Sequence, residues 1–156
     1  MAQSRKRINF FDLPAELRTV IYEHALGQKE RIRVPKSASP SLLRTCTQIR
    51  NEASSIYYST NSFQARVTHA FDNRAPGEAE NSLKKWLQAI GSKRAGQIEK
   101  LHVKYLVSSD GFLSLPREEW AFVFREKDMH DLLGLEEFGV PQEHVVIEFQ
   151  ILSDEY

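Results

Sequence analysis

The side chains in this chain that could do chemistry are one cysteine, five histidines and two adjacent acidic pairs. Cys46 could act as a nucleophile if a base stood beside it. However, it recurs with Leu42 and Ile49 at helical spacing, which predicts a core position, and unreactive thiols are among the most buried side chains. We therefore predict no catalytic residue.

The histidines show no metal-ligand spacing with the cysteine or with one another. They are His24, His69, His102, His130 and His144. Glu118-Glu119 and Glu136-Glu137 do not form a carboxylate dyad, because sequence neighbours point apart on helices and strands. The sequence also lacks a glycine-rich phosphate loop, a nucleophile elbow and a dinucleotide fingerprint. We expect no metal, no cofactor, no small-molecule substrate and no enzymatic activity.

Basic residues form two short clusters, one at Arg5-Lys6-Arg7 and one around Arg31 and Arg33. The formal net charge is +0, with 21 basic and 21 acidic residues. A neutral chain lacks the broad attraction for phosphate backbones, so nucleic acid is not an expected partner. The alternation Arg31-Ile32-Arg33-Val34-Pro35 predicts a short edge strand whose arginines guard it against stray pairing.

The 156 residues, 41% hydrophobic and 27% charged, have the composition of one globular domain. The lone cysteine excludes an internal disulfide, and the chain contains neither a signal-peptide pattern nor an apolar run long enough to span a bilayer. We predict a single soluble domain over 1–156, located in the cytoplasm or nucleus and not associated with a membrane.

In the first half, apolar residues at steps of three and four predict two helices. The first begins after Pro14 and ends at Gly27; its stripe is Leu13, Leu17, Val20, Ile21 and Ala25, with Phe10 and Phe11 beneath it. The second begins at Ser39-Pro40 and runs out at Tyr57-Tyr58; its core stripe is Leu42, Cys46, Ile49, Ala53 and Ile56. Alternation at Phe63, Ala65 and Val67 then predicts a half-buried strand.

In the second half, residues 69–77 carry turn signals and predict a loop. Leu83, Trp86, Leu87 and Ile90 predict a helix that Gly91 ends, and strands are predicted at 101–107 and 145–151. Residues 120–124 favour a strand and residues 129–135 a short helix. The fold class is α+β, with a helical pair and first strand over 10–67, then a small mixed sheet with one or two packed helices over 78–152.

Two segments carry a family resemblance. Leu13 to Glu23 reads LPAELRTVIYE, and Leu42 to Ala53 reads LLRTCTQIRNEA, followed by Tyr57-Tyr58 and Asn61-Ser62-Phe63. They resemble the fungal F-box-like proteins, in which an L-P-x-E-L-R-x-x-I-Y helix precedes an L-L-x-T-C-x-Q-I-x-x-E-A helix and a Y-x-x-N-x-F segment. The resemblance covers about residues 10–67.

The resemblance implies that the helical pair is F-box-like and binds another protein. In the family this module docks on the Skp1 adaptor of a cullin ubiquitin ligase while the rest of the chain recruits a substrate. Leu13, Pro14, Leu17 and Ile21 match the family's apolar anchors and are the predicted partner-binding residues. Residues 82–107 resemble one helix-and-strand unit of a leucine-rich repeat, and the chain is too short for the roughly three repeats that a solenoid needs.

The chain departs from a regular F-box in two places. A basic, strand-like connector replaces a short acidic loop, and Tyr57-Tyr58 replaces a helix containing tryptophan. In an alternative hypothesis, Leu13, Leu17 and Ile21 pack against Leu42, Cys46 and Ile49, so that the helical pair is only a scaffold. The sheet, with Trp86, Trp120 and Tyr105, would then bind another regulatory or host protein without Skp1. Exposure or burial of the four anchors discriminates between these hypotheses.

Overall fold

A computed structural model describes residues 9–34, 39–69, 78–108 and 133–152. Over these residues the α-helices are α1 (Ala15–Leu26), α2 (Thr47–Thr60), α3 (Glu78–Ile90) and α4 (Ser92–Ala95). The strands are β1 (Ile32–Val34), β2 (Ser62–His69), β3 (Lys100–Ser108) and β4 (Val145–Leu152). Short 3-10 turns occur at Phe10–Asp12, Ser41–Arg44, Glu136–Phe138 and Gln142–His144. The predicted α+β class is confirmed, as are the four predicted strands at these positions.

The four strands form one sheet in chain order, and each neighbouring pair is parallel. Ile32 of β1 lies beside Phe63 of β2, which lies beside Leu101 of β3, which in turn lies beside Val145 of β4. The prediction of a mixed sheet is wrong for these strands. The chain segments between them include helices, and parallel pairing needs such long crossovers, whereas antiparallel hairpins use short turns.

Residues alternate between the two faces of this sheet. Ile32, Phe63 and Leu101 are buried on the covered face, together with the residues two positions further along each strand. Helices α2 and α3 pack on that same face around Phe63. Its ring centroid lies 5.6 Å from that of Tyr57, 5.7 Å from that of Tyr58 and 5.5 Å from that of Trp86.

Successive parallel strands with helices on one face form the arrangement that solenoid repeats use. The sequence indicated one helix-and-strand unit, at residues 82–107. The structure instead places β1, β2, β3 and β4 side by side in register, so each crossover extends the same core. The sequence also predicted strands β1, β2 and β4 individually, but it did not predict that they pair in parallel with β3 in one sheet.

The second predicted helix begins later and ends later than expected. Ser41–Arg44 is a 3-10 turn, and Cys46 has extended backbone, with φ −149° and ψ 166°, as the N-cap of α2. Its Sγ accepts a hydrogen bond from the Ile49 amide at 3.5 Å. The helix then continues through Tyr57 and Tyr58 to Thr60, because both rings are buried and packing outweighs their modest helix propensity.

The ends of the other long helices match the sequence. Gly27 caps α1, and its amide donates to the Glu23 carbonyl at 2.9 Å. Gly91 follows α3 with φ +79°, a conformation that glycine adopts without steric cost. The predicted strand at 120–124 and most of the predicted loop at 69–77 and helix at 129–135 lie outside the described residues.

Candidate functional site

Helix α1 contacts the rest of the chain through Arg18, Tyr22 and Leu26. These residues are spaced four apart, so they lie on one side of the helix. Tyr22 and Leu26 are 1% and 3% exposed. The ring of Tyr22 also lies 5.7 Å from that of Phe10, between centroids. The inward face of α1 therefore contains an aromatic and a charged residue, which aliphatic spacing alone does not indicate.

A carboxylate on α2 anchors this inward face. Arg18 donates from Nε and Nη2 to the two oxygens of Glu52, at 3.0 Å each, in a bidentate pair. The Tyr22 hydroxyl donates to Glu52 at 2.9 Å, and Gln48 donates to it at 3.0 Å. The remaining guanidinium nitrogen of Arg18, Nη1, donates to the Leu13 carbonyl at 2.6 Å. All four side chains stand at fixed positions of the two sequence motifs, so the motifs meet at one network.

This network makes the stability of the chain depend on pH. Hydrogen bonds from Arg18, and then from Gln48, lower the pKa of Glu52 from 4.5 to about 2. Because the folded-state pKa lies below the unfolded one, the stabilisation is present above about pH 4.5 and is lost as the pH falls towards 2.

We expect Glu52→Gln to lower the urea midpoint at pH 6, and the gap from wild type to narrow below pH 4.5. Urea unfolding followed by circular dichroism between pH 6 and pH 3 measures this gap. Glu23→Gln, at an exposed position of α1, is the matched control and should leave the pH 6 midpoint unchanged. A gap that stays constant over the whole range would contradict the role assigned to the carboxylate.

The opposite side of α1 carries three exposed aliphatic residues. Leu17 is 51% exposed, Val20 is 47% exposed and Ile21 is 42% exposed. Their spacing of i, i+3 and i+4 places them together on one face, and we call this face the α1 strip. Pro14, three residues before Leu17, is exposed as well, whereas Leu13 is half-buried. Three of the four predicted anchors are therefore on the surface, and Val20 joins them.

The alternative hypothesis placed Leu13, Leu17 and Ile21 against Leu42, Cys46 and Ile49. This packing is wrong for Leu17 and Ile21, because the side chains that face α2 are those of Arg18 and Tyr22. Cys46 is also not a core residue: it is partly exposed and caps α2. Phe11, expected beneath the stripe, is 38% exposed, and Phe10 alone reaches the core side.

The basic connector is part of the sheet. Ile32 and Val34 are buried and Arg33 is exposed between them, as the edge-strand prediction requires. Arg31 donates from Nη1 to Glu148 of β4 at 2.9 Å, on the uncovered face. His102 and Lys104 of β3 approach the same carboxylate at 3.4 and 4.0 Å.

The described part of the uncovered face is mostly polar. Gln64 and Arg66 of β2 lie beside His102 and Lys104 of β3 in register. Val146 is the one large apolar side chain there that is clearly exposed, at 42%. Tyr105 is buried on the covered face and Trp86 packs on Phe63, so neither presents its ring to a partner on this sheet face. Trp120 lies outside the described residues.

For the described residues, two other kinds of structure can be assessed, a metal site and a membrane-spanning helix. Among them, no cluster of three or more histidine, cysteine or acidic side chains is arranged to hold a metal ion. None of the helices in the described ranges combines the length and the apolarity that a membrane crossing demands. His144 is held through Nδ1, which lies 2.8 Å from the Ile98 carbonyl.

The α1 strip is exposed, and the Arg18–Glu52 ion pair fixes the helix that carries it. It is thus the strongest candidate for a binding surface. The residues that hold the strip in place, Arg18, Tyr22 and Glu52, belong to the two sequence motifs. Comparison of the chain with models of protein families, with curated proteins and with solved structures finds no match.

Proposed function

We propose that this chain is a non-catalytic protein-interaction domain that binds a protein partner through the α1 strip. The exposure of Leu17, Val20 and Ile21 on one helix face is the observation that carries the proposal. The resemblance to fungal F-box-like proteins makes the Skp1 adaptor of a cullin ubiquitin ligase the first partner to test. In that role the chain would recruit a substrate in the cytoplasm or nucleus.

The spacing of the strip supports helix-in-groove binding. Anchors at i, i+3 and i+4 are the pattern by which an amphipathic helix enters a hydrophobic groove. Full burial of a leucine or isoleucine side chain contributes roughly 1.5–3 kcal/mol, so three partly buried anchors supply a useful share of a binding free energy. Single exposed aliphatic side chains are common on protein surfaces and need no explanation. Three such side chains on one helix face form a contiguous apolar surface, which is a feature of binding sites.

The other face of α1 supports the proposal because it holds the helix in place. Arg18, Tyr22 and Glu52 fix the rotation of α1 about its axis, so the strip is presented before any partner arrives. A preorganised surface loses less conformational freedom on binding than a mobile one. The inserted connector does not interfere with this presentation, since its strand β1 pairs with β2 in the sheet.

The uncovered sheet face is the second candidate surface, as the alternative hypothesis of a scaffold without Skp1 binding requires. Among the described residues it lacks a broad apolar patch. Trp86 and Tyr105, which the alternative hypothesis assigned to this face, contribute to the core instead. A protein that bound this face would have to rely on charge. The α1 strip is therefore the better supported of the two.

The proposal is tested by titrating purified chain against Skp1 by calorimetry, with Leu17→Asp as the test variant. Leu17 is the third residue of α1, where an acidic side chain complements the helix dipole, so the variant should remain folded. A charge at a central anchor is expected to cost at least about 2 kcal/mol, or roughly a thirtyfold loss of affinity.

Val146→Asp is the matched control, because it places the same charge at an exposed aliphatic position on the sheet. It should bind Skp1 as wild type does. Wild type that fails to bind where a known F-box domain binds would exclude the adaptor role. Equal affinities of wild type and Leu17→Asp would exclude the α1 strip as the binding surface.

A further inference from the structure

Three arginines from separate parts of the chain line one surface cleft of about 390 Å³. Arg44 comes from the 3-10 turn before α2, Arg50 from the first turn of α2, and Arg94 from α4. Ser39, Ser54 and Tyr58 place hydroxyl groups in the same lining. We call this site the arginine cleft. Its volume is within the range of small-molecule and side-chain binding sites.

Among the described residues, no carboxylate lines the arginine cleft, and none of its three arginines forms an ion pair. Two of the guanidinium groups are held by backbone carbonyls instead. Arg50 donates from Nε to Leu43 at 2.9 Å, and Arg94 donates from Nη1 to Ile90 at 3.2 Å. Each guanidinium has five N–H donors, so most of them remain for a ligand.

The cleft concentrates positive charge although the chain has equal numbers of basic and acidic residues. Like charges that share a cleft repel one another, and a bound anion removes that repulsion. Of the three hydroxyl groups, that of Ser54 already donates to the Arg50 carbonyl. Burial raises the pKa of Tyr58, against the opposing charge of Arg94, so its phenol stays protonated and can donate. The cleft therefore offers donors and positive charge to a ligand rich in oxygen acceptors.

A second cleft, of about 240 Å³, adjoins the first and shares Arg50, Ser54 and Arg94 with it. It adds Lys93 together with the amide side chains of Asn51 and Gln97. Amides pair well with a peptide backbone, since each offers a donor and an acceptor. In the described part of the chain, neither lining includes an exposed aromatic face on which a nucleobase could stack.

We propose that the arginine cleft binds a phosphate monoester, and that the adjoining cleft receives the peptide that carries it. Arginine clusters recognise phosphate through paired N–H donors and charge, and a phosphorylated side chain supplies three acceptor oxygens. The site is independent of the α1 strip. Arg50, Ser54 and Tyr58 follow one another four residues apart on α2, whereas Glu52, which contacts α1, projects from the other side of the helix.

The test uses two probes, inorganic phosphate and N-acetyl-O-phosphoserine methylamide, titrated into the labelled chain at low ionic strength. Amide and guanidinium NMR signals report binding even when it is weak. We expect both probes to shift the signals of Arg50 and Arg94, and the phosphoserine derivative to shift that of Gln97 as well. The phosphoserine derivative should bind more tightly, because its amides can reach the second cleft. Equal binding by the two probes would support a site for free phosphate in the arginine cleft and would overturn the assignment of the adjoining cleft to the peptide.

Arg50→Gln and Arg94→Gln each should weaken phosphoserine binding at least about tenfold, since each removes a charge-assisted pair of hydrogen bonds. Arg33→Gln removes the same charge from the uncovered sheet face and should have little effect. Leu17→Asp should bind both probes as wild type does, whatever its affinity for Skp1. Absence of shifts at Arg50 and Arg94, or an equal loss of affinity in Arg33→Gln, would overturn the proposal.

Discussion

Replacing Phe63 by alanine is expected to destabilise the chain by about 4 kcal/mol, a large share of the typical stability of a domain. Phe63 is 0% exposed and lies where strand β2 meets helices α2 and α3. Its ring packs on those of Tyr57, Tyr58 and Trp86. Three aromatic neighbours cannot all move into the space that the ring vacates, so a cavity remains and adds to the lost burial.

Urea unfolding followed by circular dichroism and tryptophan fluorescence measures the Phe63→Ala effect, since Trp86 lies in the same cluster. Phe11→Ala is the matched control, because it deletes the same ring from a position that is 38% exposed. It should cost about 1 kcal/mol or less. A Phe63→Ala cost as small as that of the control would show that the sheet and the two helices do not share one core.

The sequence predicted the strands well because their alternation is a local signal. Ile32, Phe63, Leu101 and Ile147 each stand in a run of alternating apolar and polar residues, and each is buried. How the strands pair is not a local property. Parallel pairing requires long crossovers, and the segments that join β1 to β2 and β2 to β3 contain helices α2 and α3.

The orientation of α1 could not be deduced from aliphatic spacing. Leu17, Val20 and Ile21 form the most regular apolar stripe, and such a stripe predicts a core-facing side. The helix instead buries Tyr22 and Leu26 and pairs Arg18 with Glu52. The signal was present in the motifs, since an arginine and a glutamate at fixed places in two separate helices are candidates for an ion pair.

The motif residues therefore divide into two groups. Arg18, Tyr22 and Glu52 position the helices, and Leu17 and Ile21 are left free on the surface. The arginine cleft was missed for another reason. Arg44, Arg50 and Arg94 come from three separate elements, so only the folded chain brings them together.

Replacing Asn61 by alanine is expected to destabilise the chain by about 3 kcal/mol, because it leaves buried polar groups without partners. Asn61 is 1% exposed at the end of α2. Its Nδ2 donates to the carbonyls of Leu26 and Tyr57 at 3.0 and 2.9 Å, and its Oδ1 accepts from the Gln28 amide at 2.7 Å. The side chain thus joins the end of α1 to the end of α2.

Asn61→Asp separates this linking role from simple loss of volume. The aspartate keeps the acceptor for Gln28 but turns an oxygen towards the Leu26 and Tyr57 carbonyls, so its charged form is disfavoured and its folded pKa is raised. A group with a raised folded pKa destabilises more as the pH rises, so Asn61→Asp should be less stable at pH 8 than at pH 5 relative to wild type. Urea midpoints at the two pH values measure this change.

Asn51→Ala is the control for Asn61→Ala, because it removes the same side chain from an exposed position of the same helix. It should be neutral or slightly stabilising, since alanine is the better helix former. If Asn61→Ala behaves like Asn51→Ala, Asn61 does not link α1 to α2, and the Glu52 network with Arg18 and Tyr22 makes that connection.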